Sequence, residues 1–234
     1  MGDEALTELI WDGKYKDGKN VGPVRIALPF QTVETVNESA QQRQLTLDML
    51  FAGCETEWRD RLIWGDKKYV LPSLLPEFAG KVNLIYIDPP FATGAGFSFN
   101  ATIPESEALF TKEPSIIEQK AYRDTWGKGL DSYLQWFYET IVLLRELLAE
   151  DGSLYVHCDW HVSHYIKAVL DETFGSDNFR NEVIWMYRKL ARSASQFPKS
   201  HDALLFYSKT EANIFNVQYV GLSESTLKRW VRPH

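Results

Sequence analysis

The chain has 234 residues, of which 44% are hydrophobic and 14% aromatic, and it carries 25 basic against 32 acidic side chains. This is the composition of a globular protein with one sizeable core, and it excludes disordered, collagen-like and low-complexity classes. Charged residues interrupt every apolar run before it reaches a membrane-spanning length, and the acidic N-terminus lacks a secretory signal. The two cysteines are far apart and provide no disulfide framework or thiolate zinc site, so we expect a reduced, cytoplasmic protein.

Charge is unevenly distributed along the chain. Residues 180–234 hold nine Lys and Arg against four Asp and Glu, a balance of +5, and the rest hold 16 basic against 28 acidic side chains, a balance of −12. A basic C-terminal segment on an acidic body is compatible with a phosphate-contacting face and equally with a solvated tail.

The first 57 residues show no clear hydrophobic period. Within them, 25–36 is compatible with an extended segment and 39–50 with a short helix. Nearly continuous apolar runs predict strands at 61–64, Val82–Ile87, 153–158, 182–187 and 203–208. Apolar residues at helical spacing predict helices over Lys67–Phe78, 130–150 and 161–174.

The alternation of strands and helices predicts an α/β fold with a mostly parallel sheet and helices on its faces. Residues 188–202 show no helical pattern, so the last two strands are expected to be antiparallel. The strand Val82–Ile87 is apolar at nearly every position, as expected of a strand that is buried on both faces. About forty residues, rich in glycine and aromatics, separate Phe91 from the long helix, which suggests a loop that closes over a flat ligand.

The tetrapeptide Asp88-Pro89-Pro90-Phe91 follows directly on this strand. Ligands of open α/β sheets bind beyond the carboxyl ends of the strands, so a site is expected here. Two consecutive prolines remove two N–H donors and leave a rigid corner that presents acceptors, namely the Asp88 carboxylate and the Pro89 carbonyl. Such a corner suits an exocyclic amino group, and Phe91 offers a flat face for a base. The alternative is a strand-terminating turn with a core phenylalanine.

The tetrapeptide resembles motif IV of the methyltransferases that act on adenine N6 or cytosine N4 in DNA, which is written D/N/S-P-P-Y/F/W. Further segments resemble successive blocks of the β-group site-specific DNA methyltransferases, which include the modification subunits of type III restriction systems. These segments are RLIWGDKKYVLPSLL, NLIYIDPPFATG, AYRDTWGKGLDSYL, EDGSLYVHCDWHVSHYIKAVLDETFG, NFRNEVIW and HDALLFYSKT. The resemblance covers residues 58–210.

The resemblance implies a Rossmann-like methyltransferase fold and methyl transfer from S-adenosylmethionine to an amino group of a base flipped out of double-stranded DNA, with adenine N6 favoured over cytosine N4. Asp88, Pro89, Pro90 and Phe91 would form the catalytic site. A restriction subunit or a second chain that completes the fold would be a partner, and neither a membrane nor a metal takes part. Residues 1–57 would be an N-terminal extension, 58–210 the catalytic region and 211–234 the start of a target-recognition or linker region.

For six further residues the sequence leaves two alternatives open, a binding role or a purely structural role. The resemblance places Asp66 near the adenine of the cofactor, and the alternative is the N-cap of a helix. Trp126 either lines the cofactor cleft or packs, and packing is the alternative that we favour. The loop before the last strand carries four basic residues that either contact DNA phosphates, which we favour slightly, or are solvated: Arg188, Lys189, Arg192 and Lys199.

A group of possible metal ligands lies at 157–164: His157, Cys158, Asp159, His161 and His164. Methyl transfer from a sulfonium needs no metal, and the resemblance assigns these residues to packing and capping, so no metal site is expected. Asp159 is expected to be the N-cap of the following helix.

The chain departs from the family pattern in two places. The S-adenosylmethionine loop of the β group has the pattern F-x-G-x-G, which does not occur in this sequence. The most similar segment, at 50–54, is followed by Glu55 where the pattern requires glycine. We therefore expect an N-terminal fragment that binds the cofactor weakly or not at all. Its sheet should lack the strand that carries this loop, which would leave a hydrophobic edge or flank exposed. Ala92 stands where many relatives carry Asn.

Two other functions remain open at this point. One is methylation of an RNA amino group, since that chemistry uses similar tetrapeptides. The other is a non-catalytic nucleic-acid-binding fragment or subunit, which the missing glycine loop favours.

Overall fold

The computed structural model describes residues 8–34, 60–92, 129–187, 195, 197–217, 221 and 225, together with the backbone of 99–102 and 109–112. Two small hairpins are formed by β1 (Tyr15–Lys16) with β2 (Lys19–Asn20), and by β4 (Phe99–Thr102) with β5 (Leu109–Lys112). The other strands are β3 (Val82–Ile87), β6 (Leu148–Cys158), β7 (Phe179–Met186) and β8 (His201–Ser208). The helices are α1 (Lys67–Phe78), α2 (Leu130–Leu147) and α3 (Ser163–Phe174), with a 3₁₀ turn at Ser176–Asn178.

The main sheet has four strands in the order β3-β6-β8-β7. Strands β3 and β6 are parallel, and β8 is antiparallel to both β6 and β7. Three of the strands therefore run in one direction, with β8 inserted between two of them in the opposite direction. The predicted α/β fold with a mostly parallel sheet and an antiparallel last pair is confirmed.

The hydrophobic core lies between one face of this sheet and the helices. Alternate strand residues point into it, as the period of two requires. From the sheet come Ile85, Ile87, Leu154, Val156, Cys158, Ala203, Leu205 and Tyr207, and from α2 and α3 come Tyr133, Phe137, Ile141, Leu144, Ile166, Val169, Leu170 and Phe174. Helix α2 lies in the middle of the layer and contacts both α1 and α3.

The opposite side of the sheet, which we term the open face, carries Leu84, Tyr86, Tyr155, Phe206 and Trp185. Leu84 is 60% exposed and Trp185 is 64% exposed, whereas the Tyr155 and Phe206 rings stack 4.5 Å apart. The prediction that β3 is buried on both faces is therefore wrong within the described residues. Apolar residues of this face are exposed instead.

The first described segment packs against the helices. Trp11 joins the core, and its indole Nε1 donates to Gln135 of α2 at 2.9 Å. Lys14 is fully buried and donates to Glu172 of α3 at 2.7 Å. These contacts attach residues 8–14 to the same helix layer that covers the sheet. No helix in the described ranges has the length and hydropathy needed to cross a membrane.

The boundary between α2 and β6 differs from the prediction. The helix ends at Leu147 and the strand begins at Leu148, whereas the sequence predicted a helix to 150 and a strand from 153. Backbone pairing of Val82 with Leu148 extends the strand, and the close approach at Gly152 permits it: a Cβ there would lie 2.9 Å from the Val82 carbonyl oxygen. The remaining predicted helix, 161–174, begins two residues late, at Ser163.

The predicted strand at 61–64 does not form, although these residues are described. The segment is held along α1 instead, because the Arg61 guanidinium makes two hydrogen bonds of 2.7 Å to the Glu77 carboxylate. Leu62 and Trp64 remain exposed. Residues 25–34 adopt no regular structure, and the possible helix at 39–50 lies outside the described residues.

Candidate active site at the carboxyl end of β3

The acidic tetrapeptide begins where β3 ends, at the carboxyl edge of the parallel pair β3 and β6. The side chain of Asp88 is 58% exposed, Pro89 is buried and Phe91 is half-buried. Asp88 follows Tyr86 at the period of a strand, so its side chain lies on the open face. The geometry places an exposed carboxylate above a rigid, donor-free corner at the edge of the sheet.

His157 lies beside this carboxylate. Its Nδ1 atom is 3.2 Å from Oδ1 of Asp88, and its Nε2 atom is 3.5 Å from Oδ2 of Asp202 at the start of β8. The hydroxyl of Tyr187 donates to the other oxygen of Asp202 at 3.1 Å. A chain of polar contacts thus runs across the sheet from β3 to the residue that follows β7.

Aromatic rings surround the histidine. The Phe91 ring meets the His157 ring edge-on, with centroids 5.4 Å apart, and Tyr86 lies 6.5 Å away on the same face. Phe91 is therefore supported from one side by His157 and keeps part of its surface accessible. A half-buried ring of this kind offers a flat apolar surface next to the Asp88 carboxylate.

Ala92 has a left-handed backbone conformation, with φ of 52°. A side chain with a Cβ is strained in this region, and Asn and Gly tolerate it best. Asn, which the family resemblance leads us to expect at this position, would therefore fit this turn with less strain. The departure to Ala therefore leaves this turn more strained than Asn would.

Asp66 precedes α1 and caps it, because its Oδ1 atom accepts from the Lys68 N–H at 2.9 Å. The capping alternative is therefore confirmed. Asp66 also lines a cavity of about 130 Å³ together with Lys67 and Trp136. Burial lowers the pKa of the Lys67 ammonium to about 8, and its Nζ donates to the Trp136 carbonyl at 3.2 Å.

Asp159 does not cap α3. The helix begins at Ser163 with Val162 in the N-cap position, so the N-cap prediction for Asp159 is wrong. Its carboxylate accepts instead from the backbone N–H of His161 at 2.9 Å and contacts the His161 ring at 2.5 Å. Burial raises the pKa of the Cys158 thiol to about 12, which keeps it protonated. Across the described ranges no three His, Cys, Asp or Glu side chains are grouped as metal ligands.

Of the four basic residues predicted to contact DNA, Lys199 is the one that lies within the described residues. Lys199 is exposed and its ammonium lies over the ring of Trp160, which follows the end of β6 in the chain. Arg188, Lys189 and Arg192, and likewise the predicted cofactor residue Trp126, lie outside the described residues.

A profile of the protein family described as DNA methylase, of the N6/N4 type, matches residues 82–234, which begin with β3 and include the tetrapeptide. The chain belongs to this family. Methyltransferases of this type use S-adenosylmethionine.

Two relatives illustrate how much of a family member the chain represents. It is 34% identical over 157 residues to the type II methyltransferase M.EcaI of Enterobacter cloacae, an alignment that covers 66% of this chain and 30% of that protein. It is 30% identical over 174 residues to the Mod subunit of the type III restriction-modification enzyme EcoP15I of Escherichia coli, covering 70% of this chain and 26% of the subunit. The chain therefore spans less than a third of the length of these relatives. Among solved structures, it is similar to the M1.HpyAVI–SAM complex, with 16% identity, a TM-score of 0.42 and coverage of 69% of this chain and 60% of that one.

The residues around Asp66 do not fit the whole cofactor of an N6/N4 DNA methylase. The cavity of about 130 Å³ is smaller than the roughly 300–1,000 Å³ of pockets that enclose ligands of this size. The sequence also contains no F-x-G-x-G turn to meet the methionine end of the molecule at a helix N-terminus.

The contact between Asp88 and the histidine was missed by sequence reasoning, which treated His157 only as a metal ligand or a packing residue. The sequence does contain a hint of this contact, because Asp88 and His157 each stand at the carboxyl end of a predicted strand. If those two strands were adjacent and parallel, their ends would meet.

Proposed function

We propose that this chain provides the target-amino-group site of an S-adenosylmethionine-dependent DNA methyltransferase, which modifies adenine N6 in preference to cytosine N4. The observation that carries the proposal is the position of Asp88-Pro89-Pro90-Phe91, an exposed carboxylate and a half-buried ring at the carboxyl edge of the sheet of a DNA methylase family member. The alternative of a turn with a core phenylalanine does not account for the exposure of Asp88.

The proposed role of the tetrapeptide is to bind and orient the amino group. Inside a duplex the amino group is paired, so the base must first be extruded from the helix. Asp88 and the Pro89 carbonyl then accept the two amino hydrogens, and Phe91 stacks on the base. Accepting both hydrogens turns the nitrogen lone pair out of conjugation with the ring, so that it can act as a nucleophile. S-adenosylmethionine supplies the methyl group. The contribution of these residues is positioning and electrostatics.

The remaining predicted residues complete this proposal. Lys199, with Arg188, Lys189 and Arg192, would contact the phosphates of double-stranded DNA. Asp66 would contact the adenine end of the cofactor, and Trp126 would line the cofactor cleft. The two relatives described above are named as a methyltransferase and a restriction-modification subunit, which supports DNA modification as the biological role. A restriction subunit, or a second chain that supplies the rest of the cofactor site, would be the protein partner.

The test is a substitution of Asp88 by Ala at the chromosomal locus of the organism that encodes the chain. This leaves the protein in its native assembly. Sequencing that detects modified bases then compares N6-methyladenine and N4-methylcytosine in the two genomes. We expect one methylated sequence motif in the wild type to disappear in the Asp88→Ala strain, because the amino group loses its main acceptor.

Protein amounts in the two strains provide the control, since an exposed carboxylate contributes little to folding. If every methylated DNA motif persists in the Asp88→Ala strain at normal protein levels, the proposal is wrong. Loss of a modified base from RNA alone would show that RNA is the substrate instead.

A further inference from the structure

The contacts of His157 link the exposed Asp88 to a second carboxylate that is well shielded. The side chain of His157 is 21% exposed and that of Asp202 is 18% exposed, against 58% for Asp88. The imidazole therefore bridges from the solvent-accessible site into the sheet surface. Phe91 and Tyr86 hold the ring from the sides, so its orientation is restricted as well as its position.

Strand register produces this arrangement. Ile87 of β3 pairs with Val156 of β6, so the next residues along the two parallel strands are Asp88 and His157. On the other side, His157 pairs with Leu204 of β8, and Asp202 lies two residues away on the same face. Three adjacent strands thus bring together a carboxylate, an imidazole and a second carboxylate at one edge of the open face.

The chemistry of the three groups determines what the bridge can do. A carboxylate oxygen accepts hydrogen bonds and an imidazole N–H donates them. Because a neutral imidazole carries a single N–H, the protonated form of the ring is the one that can hold Asp88 through Nδ1 and be held by Asp202 through Nε2 at the same time. The Tyr187 hydroxyl fixes the far oxygen of Asp202. A carboxylate held through one oxygen keeps its other oxygen for a ligand.

We propose that His157, anchored by Asp202, is a positioning residue: it holds one oxygen of Asp88 so that the other points at the amino group of the target base. This role of His157 rests on the proposed function, because it requires Asp88 to bind the amino group of a target base. His157 acts through Asp88 and does not itself touch the base. A misplacement of about 1 Å at a reacting group costs about 10²-fold in rate, so a group that orients Asp88 has a large effect.

The first experiment tests the contact without reference to activity. Long-range ¹H–¹⁵N spectra of the ¹⁵N-labelled 234-residue chain report the imidazole nitrogens of its five histidines. Asp88→Asn is expected to shift the Nδ1 resonance of His157, and Asp202→Asn its Nε2 resonance. The matched control is Asp159→Asn, which should shift His161, 2.5 Å from that carboxylate, and leave His157 unchanged. An unshifted His157 in Asp88→Asn would overturn the proposal.

The second experiment uses two amides of different reach. The side-chain nitrogen of Asn can occupy the position of Nδ1, and that of Gln the position of Nε2. His157→Asn should therefore retain a donor towards Asp88, and His157→Gln a donor towards Asp202 only. With each variant tagged and purified from its native locus, we expect methyl transfer to duplex DNA to fall about 10²-fold in His157→Gln, mainly in kcat, and to be substantially restored in His157→Asn.

The outcomes separate this role from the proposed function. Equal rates for His157→Asn and His157→Gln, with both proteins folded, would mean that His157 only packs. Failure of both variants to fold would mean the same, since the residue would then be structural. If the wild-type protein methylates no nucleic acid, the proposed function fails and this role falls with it, even where the spectra show the contact.

Discussion

Phe91 is the residue whose role depends most on what lies beside it. Its ring is half-buried and rests edge-on against His157, so part of its surface stays accessible, as the proposed stacking on a base requires. The same geometry also suits a residue that only packs against the histidine. Substitutions that keep or remove the flat surface distinguish the two.

We expect Phe91→Ala to lower kcat/KM for methyl transfer to duplex DNA by roughly one to two orders of magnitude. Stacking of a base on an aromatic side chain contributes about 1–3 kcal/mol, which corresponds to a change of that size. The measurement is the initial rate of labelled methyl incorporation by protein purified from its native locus, at several DNA concentrations.

Phe91→Tyr is the matched control, because it retains the flat surface and the contact with His157. It should keep most of the activity. A Phe91→Ala protein with the efficiency of the wild type would show that Phe91 is a packing residue and that the base is held by other groups.

Single elements show which parts of the fold were readable from local sequence. The bounds of α1 and β3 match the prediction, because the apolar spacing and the flanking Asp66 and Gly80 determine them locally. The end of α2 was predicted three residues too late, because its position depends on the pairing of Val82 with a residue 66 positions away, Leu148. The hairpin of β4 and β5 was also missed, since strand pairing within a long loop has no periodic signal.

The candidate site also has a part that local sequence predicts and a part that depends on distant pairing. Asp88 to Phe91 could be located from sequence because a strand end followed by Pro-Pro is a local pattern. The bridge through His157 to Asp202 could not, because it depends on the register of three strands. That register includes an irregularity between Val82 and Leu84, which no local pattern of the sequence reveals.

Helix α1 contains a lysine whose charge opposes folding. Burial lowers the pKa of Lys67 to about 8, against about 10.4 in an unfolded chain. Between these values the unfolded state binds more protons, so stability rises with pH from about 8 to about 10.5 and is lowest below pH 8. The Trp136 ring, 4.1 Å from the ammonium, and the Trp136 carbonyl offset part of this cost.

We therefore expect Lys67→Met to raise the free energy of unfolding by about 1–3 kcal/mol at pH 7 and to have little effect at pH 10.5. Urea denaturation at the two pH values measures this difference. Lys68→Met is the control, because Lys68 is adjacent but exposed and should change little at either pH. Destabilisation by Lys67→Met at pH 7 would mean that the contacts with Trp136 outweigh the desolvation of the charge.

The molecule as a whole is asymmetric, because its three described helices cover one face of the sheet and the candidate site lies on the other. Leu84, Tyr86 and Trp185 leave apolar surface around Asp88 and His157. Apolar surface beside a polar cluster is typical of a site that another molecule or another part of a protein covers. The relatives, which are more than three times as long as the segment they share with this chain, contain further sequence that could serve this purpose.

The 234-residue chain by itself is expected to have little affinity for the cofactor. We expect isothermal titration with S-adenosylmethionine to detect no binding in the micromolar range. The methionine end of the molecule needs backbone N–H groups at a glycine-rich turn, and the sequence contains no F-x-G-x-G pattern. The cavity beside Asp66, about 130 Å³, offers room for a fragment of the molecule rather than the whole.

Material purified from the native locus is the control for this titration. If a partner chain completes the site, that preparation should bind S-adenosylmethionine while the isolated chain does not, and sedimentation should show the larger assembly. Micromolar binding by the isolated chain as a monomer would contradict the prediction. It would mean that the chain forms a cofactor site from residues other than those around Asp66, and that the open face, where Asp88 and His157 already lie, is the first place to map it by substitution.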